Sequence, residues 1–167
     1  TNCLGIESTA GQHERAEKLL SQLPMLSLPL EYSYDFIMDM NGTATPDKAL
    51  MPLLKTYVDT ETDLSNCHVA QLPAVDGYRL LLVCGNNAVG EGRFFLCSID
   101  KQGKLTENLL IYTAQTILWK GKEENSFLHF KVNKGGQITL NKTIVHNGKE
   151  VVISKKNIQF RRGIFYS

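Results

Sequence analysis

Four cysteines and four histidines are the residues of this chain best suited to nucleophilic, acid-base or metal chemistry. Their spacing assembles none of these. Cys3, Cys67, Cys84 and Cys97 include no C-x-x-C pair, and no histidine stands at zinc-finger distance from them. Cys67 and His68 are neighbours in a segment read as a strand, so their side chains point to opposite faces and cannot act as a dyad. Cys97 with His129 would be a long-range pair, but Cys97 lies among Phe95, Leu96 and Ile99, an apolar setting that raises a thiol pKa. The strand cysteines are therefore expected as buried free thiols. His13 is expected on an exposed helix, His129 at a core edge and His146 beside a hairpin turn.

Other patterns are equally sparing of chemistry. Cys84-Gly85-Asn86-Asn87-Ala88-Val89-Gly90-Glu91-Gly92 follows a strand and is rich in glycine, but it lacks the Lys-Ser/Thr ending and the following helix of a phosphate loop. It reads as a protruding hairpin loop. Asp35 and Asp39, placed on one strand, would lie about 13 Å apart, too far for a glycosidase pair. The sequons Asn41-Gly42-Thr43 and Asn141-Lys142-Thr143 matter only in a secreted eukaryotic protein. Aromatic residues interleave with basic ones in the C-terminal half, yet strand aromatics belong to cores by default, and nucleic acid is not an expected partner. No catalytic residue, cofactor or metal is expected. The residues left as interaction candidates are Asn86 and Asn87 in the loop, Arg93 just after it, and Arg161 and Arg162 near the C-terminus.

The elements that must position these residues can be read from periodicity and turn chemistry. The 167 residues, 43% hydrophobic, suit one globular domain, expected over residues 12–167 behind a flexible leader of residues 1–11. QHERAEKLLSQL, residues 12–23, presents Ala16, Leu19, Leu20 and Leu23 on one helical face and stops at Pro24. LEYSYDFIM, residues 30–38, alternates with period two and reads as a strand. A second helix is expected over 46–57, with Thr45 as N-cap, Pro46 in the first position and a kink at Pro52. From residue 67 the pattern is strand and turn: 67–72, 78–84, 93–99, 104–113, 115–119, 126–132, 137–145, 149–154 and 157–166. Asn147-Gly148 predicts a type I′ hairpin pairing His146 with Lys149. Residues 99–112 align without gaps on 132–145, an echo that two hairpins built on the same turn would produce. The expected fold is α+β and mainly β: a helix or two on a strongly curved antiparallel meander, barrel-like or two-layered so that long edges are not left open.

Charge is unevenly placed. Residues 1–66 carry four Lys/Arg and ten Asp/Glu, a net of −6, against 14 and seven, a net of +7, in residues 67–167. Lys155, Lys156, Arg161 and Arg162 crowd into eight residues, but a strand divides such a cluster between its two faces.

QLPAVDGYRLLLVCG and RFFLCSIDKQGKLTENLLIY, together with FKVNKGGQITLNKTIV, resemble uncharacterised secreted or lipid-anchored proteins of Bacteroidetes over about half the chain. That resemblance implies a cell-envelope location, in the periplasm or at the outer-membrane surface, and carries no active site. The chain starts at Thr1 rather than Met, and Cys3, followed by small and polar residues, is placed as in a lipoprotein after removal of its signal peptide, which makes Cys3 a candidate for lipidation and the membrane a partner only through that anchor. The expected function is a non-catalytic envelope binding or interaction module with an unknown envelope protein as partner. The alternatives are a calycin-like carrier of a small apolar ligand, which would use the apolar runs at Leu80–Cys84 and Phe94–Cys97, and an enzyme of undetected type.

Overall fold

A computed structural model describes residues 9–167 of the chain. The lipidation candidate Cys3 lies outside the described residues. Helix α1 spans Thr9–Ser21, so the boundary expected at residue 12 falls inside it. Its stripe of Ala16, Leu19 and Leu20, with Leu23 just beyond, is buried as the spacing requires.

The segment expected as one strand at 30–38 divides in two. Only Leu30–Glu31 is extended (β1), and Tyr34–Asp39 is helical (α2). Ser33 causes the switch: its hydroxyl accepts from Phe36 N at 3.0 Å, while Met40 ends the helix in the left-handed region. Phe36, Ile37 and Met40 then reach the core together at helical spacing. Asp35 and Asp39 consequently stand one turn apart on an exposed helix rather than 13 Å apart on a strand. The second helix is also shorter than expected. Thr45 is not its cap but donates to the carbonyl of Cys67, and a 3₁₀ turn at Lys48–Leu50 leads into α3, Met51–Lys55. Pro52 starts that helix instead of kinking it, because a first-turn residue has no intrahelical acceptor to lose.

The remaining chain is an antiparallel meander of β2 (Asp63–Val75), β3 (Tyr78–Asn86), β4 (Gly92–Ile99), β5 (Leu105–Trp119), β6 (Lys122–Val132), β7 (Gln137–His146), β8 (Lys149–Arg161) and β9 (Ile164–Tyr166). The strands lie in sequential order, with β1 beside β6, in a sheet that is not closed. Two pairs of expected strands fuse into the long β5 and into β8, and Arg162 lies in the tight β8–β9 turn rather than in a strand.

β5 makes the sheet roll. Its first half pairs with β4 and its second half with β6, and a bulge between them places Ile111 and Tyr112 in the same core cluster. Two layers result. β3 and β4 are apolar on both faces because both are covered: Leu81, Val83, Phe95 and Cys97 pack under α1 and α3, while Leu80, Leu82, Phe94 and Leu96 meet Phe130, Ile138, Leu140, Ile158 and Phe160 from the second layer. Phe94 against Tyr112 and Tyr78 against Phe160 are ring contacts of that inner core, at 4.6 and 6.4 Å between centroids. The last turn folds back on the first layer, where Arg162 N donates to Asp76 at 2.9 Å and Thr106 donates to Gly163 O at 2.7 Å.

The echo between residues 99–112 and 132–145 has a shared turn as its basis. Asp100 N donates to Lys104 O and Asn133 N to Gln137 O, the same closing bond in both. Asn147 and Gly148 adopt positive φ, 52° and 75°, and His146 pairs with Lys149 as the Asn-Gly turn predicts.

Candidate functional site

The loop after β3 is tied to itself. Asn87 Oδ1 accepts from Val89 N and Glu91 N, and its amide donates to Glu91 Oε1 at 2.9 Å. An Asx-type knot of this kind shapes the loop and leaves Val89 exposed at its tip. Asn86 is half-buried at the end of β3. Arg93 is held more firmly. Its guanidinium is paired with Asp59, lies 3.2 Å from Thr62 Oγ1 and sits over the ring of Phe95, 5.5 Å from the centroid. Burial works against the ionised form of Asp59, but hydrogen bonds from Arg93 and Thr62 and the Arg93 charge outweigh it and hold the carboxyl below its usual range. Arg93 is a clamp between β4 and the chain entering β2, with little left to offer a partner.

Arg161 and Arg162 are exposed. They sit beside Asp76 and the start of β3, whereas Arg93 stands opposite Gly85 at the far end of that strand. About seven residues of strand, roughly 20 Å, separate the two ends. The fold therefore does not gather Arg93, Arg161 and Arg162 into one surface.

A different group is assembled on the outer face of the second layer. The ladder places His129, Asn141 and Lys155 side by side on β6, β7 and β8, with Lys131, Thr139 and Asn157 as the next row. Tyr32, just after β1, donates its backbone N–H to Phe130 O and lays its ring 3.9 Å from that of His129. All of these except Asn157 line an open polar cleft of about 360 Å³. Below it, Glu150 accepts from the His129 ring and from Thr143 Oγ1 at 2.5 Å. Desolvation alone would raise the Glu150 pKa, but those two bonds and the histidine lower it, so the carboxylate stays ionised and fixes the ring. The other ring nitrogen, Nδ1, is buried without a partner. Held through its other nitrogen by Glu150, the ring stands as an aromatic wall of the cleft. A second pair, His146 to Glu124 at 2.5 Å, ties β7 to β6.

The register that makes the cleft depends on one residue. From His146 to Thr143 the pairing follows the Asn-Gly turn, but a bulge then pairs Lys142 with Ser154 instead of Ile153. Without it Lys155 would stand opposite Leu140 on the core side. The turn is legible in the sequence and the bulge is not, so local pattern alone does not place these residues in one row.

The thiols follow expectation. Cys67, Cys84 and Cys97 are free and buried, and desolvation raises all three pKa values. Cys67 lies in the helix-covered core, whereas His68 approaches Thr43 at 3.4 Å, so the two are not a dyad. Cys97 donates to Tyr57 O, away from the His129–Glu150 pair. Among the described residues no cluster of metal-binding side chains is found, and no helix is long and apolar enough to cross a membrane.

These features define an open, rolled β-meander with helices on one face and a basic, polar outer face on the other. No protein-family model, curated protein or solved structure matches the chain.

Proposed function

We propose that this chain is a non-catalytic interaction module of the bacterial cell envelope, and that it engages an acidic protein partner through the basic outer layer formed by β6 to β9. The observation that carries the reading is where the charge lies. Residues 120–167 hold ten Lys/Arg and three Asp/Glu, a net of +7, whereas residues 67–119 hold four of each. Two of the three carboxylates, Glu124 and Glu150, are already engaged by His146 and His129, which leaves the cations of this layer uncompensated. The cleft beside Tyr32 adds an aromatic wall and amide and hydroxyl groups, the mixture that lets a charged surface discriminate between partners. The envelope location rests on the resemblance to secreted and lipid-anchored Bacteroidetes proteins.

Photo-cross-linkers placed at Asn141, Lys155 and Arg161 in cells of the source organism test the reading. One defined protein adduct is expected from these positions, lost in Lys131→Glu/Lys155→Glu and absent when the cross-linker sits at Glu14 or Lys48 near the helices. Equal adducts from all positions, or an adduct indifferent to the charge reversal, would overturn it.

A further inference from the structure

The two edges of this sheet are treated differently. The edge at β2 is covered: Gln71 exchanges backbone hydrogen bonds with Pro24 O and Leu26 N, and Val69 with Ala44. At the other edge β9 pairs only with Gln159–Arg161 of β8. Among the described residues the outer side of 149–157 has no ladder partner, and every residue there except Ile153 is exposed. Nine residues of strand, about 30 Å, thus present unpaired N–H and C=O groups, with Val151 and Val152 45% and 59% exposed beside them.

We infer that this edge of β8 takes an extended acidic segment of a partner protein as an added strand. The inference rests on the interaction-module reading above and deepens it by naming the mode of contact. The lysines decide the chemistry. Lys155 shares a face with Asn141 and Lys156 shares the opposite face with Leu140, so on the sheet surface the cluster is split. An added strand has side chains on both faces and would meet both, with Lys149 at its far end. The same lysines argue against a second copy. Glu150 is engaged by His129 and Thr143, so two β8 edges would bring six lysines together with no free carboxylate between them. Backbone bonds would supply affinity, and carboxylates on alternating faces would supply selection.

The test uses the full chain and a fluorescein-labelled ten-residue peptide in which Glu-Glu pairs are separated by Val-Val pairs, so that carboxylates stand on both faces of the added strand. Binding is expected to weaken about tenfold or more between 50 and 300 mM salt, because salt screens the several charge contacts along the edge. Amide hydrogen exchange over 150–157 is expected to slow about tenfold or more in the complex. N-methylation of alternate peptide residues along one edge should abolish binding, and along the other should leave it intact. Lys155→Glu/Lys156→Glu should transfer the preference to the Lys-for-Glu peptide. Binding without protection of those amides, or indifference to which edge is methylated, overturns strand addition, as does dimerisation of the free chain through β8. An oligogalacturonate that binds without protecting 150–157, while the peptide fails, would remove strand addition and leave the basic-layer reading to the cross-linking result.

Discussion

Arg93 offers the sharpest separation of a structural from a binding role. Its side chain is 18% exposed, Asp59 is 34% exposed, and the guanidinium also meets Thr62 and the Phe95 ring. Hydrogen bonds to charged groups contribute about 1.5–3 kcal/mol and a cation over an aromatic ring about 0.5–1. Because Asp59 is a third exposed, its Coulombic share is screened, so the lower part of that range applies and Arg93→Met should cost about 2 kcal/mol. In a chain of this length that is a fall of about 4–8 °C in Tm. The pH dependence follows from the depressed pKa of Asp59. A carboxyl held below its unfolded value stabilises the fold above about pH 4 and loses that contribution as pH falls through the folded value. The gap between wild type and Arg93→Met should therefore be full at pH 7 and shrink below pH 4. Urea unfolding at pH 7, 5 and 3 measures it, with Arg161→Ala as a control expected within about 0.5 kcal/mol of wild type. A variant as stable as wild type at pH 7, or a gap that persists unchanged at pH 3, refutes the clamp.

Two further outcomes concern the helix-covered core. Gly103 has φ +83°, and a Cβ there would overlap Ala16 of α1, while its carbonyl accepts from Tyr57 Oη at 2.6 Å and Gln12 at 3.2 Å. Gly103→Ala should cost about 3 kcal/mol from strain and overpacking together, and Ala16→Gly in the same chain should return at least about 1 of it; additive losses in denaturant titrations would remove the overlap as the cause. In a Cys3→Ser variant the thiols of Cys67, Cys84 and Cys97 should be inert to a disulfide reagent at pH 8 and all react after unfolding. A native thiol reacting at the rate of free cysteine would show that the burial is incomplete.

Local chemistry made much of the meander legible. The Asn147-Gly148 turn specifies a two-residue hairpin because few other residues accept positive φ twice in succession, and the stripe from Ala16 to Leu23 specifies a helix with one buried face. The apolar runs at Leu80–Cys84 and Phe94–Cys97 could not say what covered each side, since an apolar strand reads the same under helices as under a second layer. Residues 30–38 depart from the expected strand for a similar reason. Nine residues hold too few turns to separate a period of 2 from one of 3.6, and the choice fell to Ser33 capping Phe36 and to the core waiting for Phe36, Ile37 and Met40. Residue types alone made Arg93 look available, because a sequence shows a charge but not its partner, and Asp59 lies 34 residues away. The candidate surface was the least legible of all. A basic C-terminal half was plain from counting, but which lysines share a face depends on one bulge in β8, and which edge stays open depends on where residues 24–26 and Ala44 dock. Composition and local pattern thus determined most of the strands, the first helix and the charge of this protein, whereas register, bulge and edge cover are contacts between distant segments, and only the packed chain decided them.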